Sequence, residues 1–331
     1  MELMVDAQGA RLSKDGERLV VQREGEADEY VPLNVMEQLV VAGRGVNATT
    51  ALLFDLVERG VDVVFQSQHG RFGFRLVGEV SKHSALRVQQ VQAATDPAQA
   101  LRLARAMITG KLHNQAVLLR RYGDALGAEG AAGVAMLVEQ MQRAGQAPNA
   151  DSLRGYEGSG AAAYFGVWPR LFDAREWHFA GRAYHPAPDP VNAMLSLGYT
   201  LLLHDIVGAV YRIGLDPTVG FFHTLDYGRQ SLALDLEEEF RPVIVDTLVL
   251  HLIRQQLLVP GDFTQRGGSC MMTDDARRFF FAQYAARMAV RVRHPAWQQQ
   301  LTYRQCIQRQ VEHLARCVLG KEEGYTALLI R

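Results

Sequence analysis

The residues best suited to chemistry lie in one short stretch, positions 220–246. A turn there ends in His223, and a helix is predicted from Ser231 because apolar residues recur at every fourth position. Asp235 and Glu238 are three residues apart, so they share one face of that helix. One imidazole and two carboxylates this close together are suited to a hard divalent cation, Mg²⁺ or Mn²⁺.

The same stretch also has a simpler interpretation. Acidic residues are common at helix starts because they interact favourably with the helix dipole. A solvated acidic turn beside a core histidine therefore stays open at this point. Glu237 and Glu239 point away from the Asp235–Glu238 face, and Pro242 is expected to break or kink the helix because it lacks a backbone donor.

Length and composition indicate a globular protein. A chain of 331 residues usually folds as two domains, and 48% apolar residues supply a sizeable core. The start of the chain has neither a basic segment nor an apolar segment typical of a signal peptide. The longest apolar stretch, 191–211, is interrupted by His204 and Asp205, which favours a buried helix over a membrane span.

The three cysteines, Cys270, Cys306 and Cys317, argue against both a thiolate zinc site and a disulfide framework. Their number is odd, and no two have the close spacing of a zinc ligand pair. We expect small buried residues in a reducing compartment and a cytoplasmic protein.

Positive charge is concentrated in two segments although the net charge is only −1. Residues 101–121 and 276–311 contain no Asp or Glu, which predicts local phosphate-binding surfaces. Arginines paired with acids from elsewhere in the fold are the alternative. The candidate nucleic-acid-binding residues in the second segment are Arg277, Arg278, Arg287, Arg291 and Arg293.

Residues 1–90 are predicted to form a small, sandwich-like β-sheet domain. One helix, capped at Asn47 or Thr49 and ended by Gly60, interrupts the strands. The strand-like runs are 3–5, 18–22, 38–41, 61–66 and 71–76. Apolar residues left at its edge would make this domain a dimerisation face, and only His69 offers a chemical group.

A polar connector, 81–98, is predicted to lead into an almost entirely helical domain, 97–331. A helix over 98–122 is expected to be basic on its exposed side, with Asp96 and Pro97 at its start. The expected fold class is therefore α+β. A loop around Gly267 precedes arginine-rich helices.

In this order and spacing, the segments resemble the CRISPR-associated integrase family, Cas-one (Cas1). KLHNQAVLLRR resembles its basic helix, GYEGSGAAAYF its glutamate motif and DPVNAMLSLGYTLL its buried helix. LDPTVGFFH resembles its histidine motif and SLALDLEEEFRPVIVD its acidic motif. The resemblance covers essentially the whole chain. It implies that Glu157, His223 and Glu238 are the metal ligands and that Asp235 is a further acidic residue near the site.

The resemblance implies metal-dependent insertion of short DNA segments into a CRISPR array by attack of a DNA 3′-hydroxyl on a phosphodiester. It also implies a homodimer, DNA partners (prespacer and CRISPR repeat) and a small partner protein, Cas-two (Cas2), with no membrane. Two alternatives stay open: a stand-alone metal-dependent nuclease of branched or free DNA, and a non-catalytic DNA-binding scaffold.

Other histidines and aromatic residues have more ordinary interpretations. His204 and His251 lie in apolar helices and are expected to be core residues, whereas the role of His185 is open. For the aromatic residues Tyr156, Tyr164 and Trp168, core packing is favoured over base stacking.

Overall fold

The computed structural model describes residues 1–67, 72–78, 83–183, 186–223 and 226–331. The chain forms two compact units, Met1–Lys82 and His83–Arg331. Strands dominate the first and helices the second, so the predicted α+β class is confirmed. His69 and His185 lie outside the described residues.

Two four-stranded sheets form the first unit. The mixed sheet has the order β1-β5-β7-β8, and its strands are β1 (Glu2–Val5), β5 (Gln38–Ala42), β7 (Asp62–Gln66) and β8 (Phe72–Leu76). The second sheet has the order β4-β3-β2-β6, and its strands are β2 (Arg11–Asp15), β3 (Arg18–Gln22), β4 (Glu29–Pro32) and β6 (Asn47–Ala48). Strands β1, β5 and β7 are parallel, and β8 is antiparallel to β7.

The two sheets share one apolar core. Leu39 and Val63 face it from the first sheet, and Leu12 and Val21 face it from the second. The helix α1 (Thr50–Glu58) starts after Thr49, as predicted, and packs its buried residues into the same cluster. The sequence prediction missed β2, β4 and β6, because each of these short strands buries at most one residue fully.

The predicted connector is mainly a helix, α2 (Ser84–Thr95), and this helix belongs to the second unit. Leu86, Gln90 and Ala93 are spaced to form one helical face, and all three are buried. The Gln90 amide donates to the carbonyls of Asp216 and Val219, both at 2.8 Å. The polar appearance of the segment was misleading because its buried polar residue holds the loop that leads to His223.

The second unit is built from helices around a shared core. They are α2, α3 (Pro97–Arg121), α4 (Gly123–Gly145), α5 (Ala150–Gly166), α6 (Pro190–Ile213), α7 (Ser231–Arg241), α8 (Thr247–Arg254), α9 (Asp274–Ala289) and α10 (Tyr303–Val318). Helix α3 begins as predicted, with the Asp96 carboxylate accepting from the backbone N–H groups of Ala98 and Gln99. Between α7 and α8, Pro242–Asp246 form a π-helical turn, which is the predicted irregularity at Pro242.

Helix α6 is a core helix of this unit. Among the described residues it alone is long and apolar enough to cross a membrane, and 56% of its most apolar window is buried inside the protein. It packs against α7 and α10, which is consistent with the prediction of a buried helix.

Two β-hairpins interrupt the helices, so the second unit is less uniformly helical than predicted. The predicted loop around Gly267 is the two-residue turn between β9 (Phe263–Arg266) and β10 (Ser269–Met272). The second hairpin consists of β11 (Arg291–Arg293) and β12 (Gln300–Thr302). Arg291 and Arg293 were predicted on a helix, but Pro295 follows closely and disfavours helical backbone before it.

Candidate active site

The acidic side chains of α7 are buried. Asp235, Glu237, Glu238 and Glu239 are each at most 3% exposed. Burial of an ionised carboxylate is costly unless charges or hydrogen-bond donors compensate it. A solvated acidic turn is therefore excluded, and the partners of each carboxylate determine what it can do.

Glu157 on α5 and Glu238 on α7 face the same ammonium group, that of Lys111 on α3. Lys111 Nζ lies 2.6 Å from Glu238 Oε2 and donates a hydrogen bond to Glu157 Oε1. Both oxygens are thus within bonding reach of one nitrogen. Three helices converge on a point at which two carboxylates hold a cation.

Neighbouring charges keep Glu238 and Lys111 ionised. Burial alone would raise the pKa of Glu238, but the positive charges of Arg241 and Lys111 hold it at about 2. Burial alone would lower the pKa of Lys111, but the negative charges of Glu238 and Glu157 raise it above its ordinary value. Arg241 completes the arrangement with Nη1 at 2.6 Å from Glu238 and Nη2 at 2.7 Å from Glu237.

The prediction that α3 is basic on its exposed side does not hold at Lys111. The residue is 6% exposed. It lies four residues after Met107 and seven before Leu118, both buried, so the helical period places it on the inner face. A lysine on the apolar stripe of a helix was the signal that could have identified it as a site residue.

His223 is held by Asp235 on the second turn of α7. Asp235 Oδ1 accepts from the His223 backbone N–H at 2.8 Å and lies 2.7 Å from the ring nitrogen Nδ1. When Nδ1 donates to this carboxylate, Nε2 keeps its lone pair and can bind a metal. Glu238 also interacts electrostatically with His223, which places the imidazole in the same cluster as the glutamate.

Asp235 also anchors the backbone of the histidine loop. Its Oδ2 accepts from the N–H groups of Phe221 and Phe222 at 2.6 and 3.0 Å. Gly220 permits this approach, because a Cβ there would lie 2.7 Å from the Ser231 carbonyl carbon and 2.8 Å from Asp235 Oδ2. The structure therefore places Asp235 behind His223.

A different set of potential metal-ligating side chains lies closer together than Glu157, His223 and Glu238 do. In the described part of the chain, the donor atoms that lie within 4.8 Å of one another belong to His313, Cys317 and Glu322. With Lys111 between the two carboxylates, the donors of Glu157, His223 and Glu238 are more widely spaced. His313 Nε2 accepts the Thr326 N–H at 3.0 Å while Nδ1 donates to Glu322, so neither ring nitrogen has a lone pair for a metal.

Comparisons with known proteins decide the family. A family model described as "CRISPR associated protein Cas1" matches residues 3–286. A Cas1 endonuclease of Rhodospirillum rubrum is 38% identical, with 97% of this chain and 96% of that protein aligned. The chain belongs to the Cas1 family.

Other relatives share most of this chain. A Cas1 endonuclease of Thermus thermophilus is 35% identical over 97% of this chain and 95% of its own length. A Cas4 exonuclease/Cas1 endonuclease fusion of Rhodospirillum rubrum is 37% identical over 96% of this chain, which spans 55% of the fusion.

Solved structures confirm the Cas1 fold. A Cas1 protein from Thermotoga maritima matches with a TM-score of 0.81 and 20% identity, and 99% of each chain is covered. A casposase bound to an integration product matches with a TM-score of 0.85 and 21% identity, over 100% of this chain and 94% of that one. At this identity the likeness concerns the fold alone.

The candidate DNA-binding arginines fall into different environments. Arg277 and Arg278 are ion-paired with Asp274 at 3.1 Å and Asp275 at 2.5 Å. These two acids lie just before the acid-free window, and a role of Arg277 and Arg278 in DNA binding stays a prediction. Arg291 and Arg293 are exposed on β11, whereas Arg287 is partly buried between helices.

Most of the remaining candidates are structural. Tyr164 and Trp168 are fully buried, and Tyr164 donates to Asp246 at 2.8 Å. His204 is half-buried, but His251 is exposed, so the prediction of a core histidine was wrong at position 251. His251 lies on the outward-facing side of the otherwise apolar helix α8, so its side chain is exposed.

Proposed function

We propose that this Cas1 protein is a divalent-metal-dependent DNA endonuclease and integrase that inserts short DNA segments into a CRISPR array. The oxygen of a DNA 3′-hydroxyl forms a bond to phosphorus, and the bond from that phosphorus to its 3′ oxygen breaks. The attacking hydroxyl loses its proton and the departing oxygen gains one. The observation that carries the proposal is the convergence of Glu157 and Glu238 on one cation position beside an oriented histidine.

The residues present fit Mg²⁺ or Mn²⁺. Glu157, Glu238 and His223 would hold the ion, and the Lys111 ammonium bound by the two carboxylates supports a cation position between them. Oxygen donors suit either ion, and the imidazole favours Mn²⁺. When bound, the ion supplies Lewis-acid stabilisation of charge on the scissile phosphate.

The surrounding side chains orient and balance this site. Asp235 fixes the ring of His223, and Arg241 fixes the carboxylates of Glu238 and Glu237. Lys111 places a positive charge beside both glutamates. That charge offsets the negative potential of the carboxylates and lets a phosphodiester approach.

We propose DNA, a second copy of this chain and Cas2 as partners. The exposed apolar residues Tyr30, Phe54 and Phe74 in the first unit provide the surface for a homodimer. A Cas6-RT-Cas1–Cas2 complex contains a chain of the same fold, with a TM-score of 0.77 and 19% identity, over 99% of this chain and 36% of that one. This supports an assembly with Cas2, and a cytoplasmic location stays a prediction.

The test measures strand transfer and metal binding together. The protein is incubated with a 3′-hydroxyl DNA donor, repeat DNA, Cas2 and Mn²⁺, and Mn²⁺ affinity is measured by electron paramagnetic resonance. Glu157→Gln and Glu238→Gln should each abolish branched products and weaken Mn²⁺ binding. Glu139→Gln, an exposed acid on α4, is the matched control and should behave like the wild type.

Two outcomes would favour the alternatives. Water-mediated cleavage without branched products, even with Cas2 present, would identify a stand-alone nuclease. DNA binding without cleavage or branched products in the wild type, unchanged in Glu238→Gln and His223→Asn, would show that the buried acids are structural, and the chain would then be a DNA-binding scaffold.

A further inference from the structure

A cavity lies outside the candidate active site, where α8, α9 and the end of α3 meet. Its volume is about 420 Å³, within the range of small-molecule sites. The residues relevant here are Tyr122, Thr247, His251, Arg254, Gln283 and Arg287. We call it the α8–α9 pocket.

The α8–α9 pocket is cationic. Among the described residues no Asp or Glu lines it, and none lies within ion-pair distance of Arg254 or Arg287. Arg121 lies close enough to contribute to lowering the pKa of Arg287, although burial of Arg287 contributes more. An anion in the pocket would therefore meet several positive charges and no competing carboxylate.

Arg287 has more donors than acceptors. Its Nη2 donates to the Val243 carbonyl at 2.6 Å and lies 3.3 Å from the Tyr303 hydroxyl. Its Nε is buried and has no hydrogen-bond partner among the described residues. A buried donor without an acceptor is unfavourable, and a phosphate oxygen would satisfy it.

Arg254 adds a flat surface beside this anion site. Its guanidinium lies over the ring of Tyr122 at 5.0 Å, and Nη1 donates to the Leu171 carbonyl at 2.8 Å. A guanidinium supported by an aromatic ring can stack on a nucleobase. The amide of Gln283 supplies a donor and an acceptor for a base edge.

We propose that the α8–α9 pocket binds one nucleotide of a DNA strand, with the phosphate on Arg287 and His251 and the base on Arg254. The proposal rests on the proposed function, since it assigns a DNA contact remote from the reaction. Lys111 and Tyr122 are separated on α3 by about 16 Å at 1.5 Å per residue. At about 3.4 Å per nucleotide, the bound unit lies about five nucleotides from the reacting phosphodiester.

The test measures binding without catalysis. Affinity of the full chain for a fluorescent 12-nucleotide strand is measured by anisotropy in EDTA at several salt concentrations. Arg287→Gln and His251→Glu should each weaken binding by about tenfold, and Arg287→Gln should reduce the salt slope by about one. His251 is exposed, so His251→Glu keeps the test valid if Arg287→Gln unfolds.

Arg143→Gln is the matched control. It removes the same charge, but Arg143 is exposed on α4 and paired with Glu139 at 2.6 Å, so the affinity of this variant should change less than twofold. Deoxyadenosine monophosphate serves as a second probe. If this nucleotide competes with the strand in the wild type but not in His251→Glu, the result would support a pocket for single nucleotides. If His251→Glu weakens strand binding but the nucleotide does not compete in the wild type, the result would support recognition of the strand.

Equal affinity of wild type, folded Arg287→Gln and His251→Glu for the strand would overturn the pocket assignment. That result would leave the proposed function intact as long as Glu238→Gln abolishes strand transfer. Conversely, strand transfer by Glu238→Gln with weakened binding by His251→Glu would reject the metal site and keep the pocket.

Discussion

Two neighbouring glutamates on α7 face opposite environments. Glu238 faces the cations of Lys111 and Arg241. Glu239 faces neutral donors instead: the Tyr325 hydroxyl at 2.5 Å, the Leu328 N–H at 2.6 Å and the Gln310 amide at 3.2 Å. Both residues are buried, so the difference lies only in what they contact.

The environments separate their pKa values. The pKa of Glu238 is about 2, because Arg241 and Lys111 outweigh the effect of burial. Burial raises the pKa of Glu239 to about 7, although hydrogen bonds from Tyr325 and Leu328 act in the opposite direction. One carboxylate is thus a permanent anion suited to a cation, and the other is a structural anchor that titrates near neutrality.

The anchor ties the segment 325–330 to the helices of the site. The Asn114 amide donates to the carbonyls of Glu239 and Leu328 at 2.8 and 2.7 Å, and its oxygen accepts from the Ile330 N–H at 3.0 Å. Asn114 lies one turn after Lys111 on α3. The contacts around Glu239 therefore help to fix α3, the helix that carries Lys111, the cation facing Glu238.

The largest expected effect comes from removing the cation that faces Glu238. Lys111→Met should lower the free energy of unfolding by about 3–5 kcal/mol, because it leaves buried carboxylates unbalanced. Urea denaturation measures this. The double variant Lys111→Met/Glu238→Gln should recover part of the loss, and equal stability of the single and double variants would contradict the charge-balance argument.

A smaller effect is expected from Glu239→Gln, and it depends on pH. The folded-state pKa of about 7 exceeds the ordinary value of 4.5, so the contribution of Glu239 to stability is present below pH 4.5 and is lost as pH rises through 7. Across this window the loss is on the order of 3 kcal/mol. Glu239→Gln should therefore become more stable relative to wild type at pH 7.5 than at pH 5.

Urea denaturation at both pH values measures the difference, with Glu139→Gln as an exposed control. The same pH dependence in wild type and Glu239→Gln would show that the Glu239 environment does not shift its titration. Glu238 has the opposite sign: its contribution would be lost only as pH falls from 4.5 through about 2.

Asp235→Asn should change the surroundings of Glu238 and His223 without changing the contacts of Glu239. The variant loses the negative charge that orients His223, and Mn²⁺ affinity should fall by about 10–100-fold, as is typical for groups that orient metal ligands. Titration followed by electron paramagnetic resonance measures this. Unchanged affinity would show that the ring of His223 is positioned by other contacts.

The smallest expected effect is that of Tyr325→Phe. It removes one neutral hydrogen bond to Glu239 and should cost about 1 kcal/mol of stability, with Mn²⁺ affinity unchanged. Denaturation and metal titration on the same preparation check both statements. A loss as large as that of Lys111→Met would mean that the two sides of α7 are not energetically distinct.

Helical spacing was enough to predict that Asp235 and Glu238 share a face and that Glu239 points elsewhere. The partner of Glu239 was not predictable, because Tyr325 and Leu328 lie far along the chain and nothing local indicates the contact. The family motifs pointed to Glu157 and His223, whereas Lys111 was missed because its charge was taken as a sign of exposure. The helix predicted for Arg291 and Arg293 was wrong because Pro295 follows closely, whereas the DNA-binding role of the arginines stays a prediction.

The π-helical turn at Pro242–Asp246 has a consequence for the register of the chain. An α-helix advances about 100° per residue, so deleting one residue from this wide turn would rotate everything after it while leaving Glu238 in place. Asp246 would swing away from the Tyr164 and Tyr199 hydroxyls that bind it, and Arg254 would leave Tyr122. The one extra residue in this turn thus sets the orientation of Asp246 and Arg254 relative to Glu238.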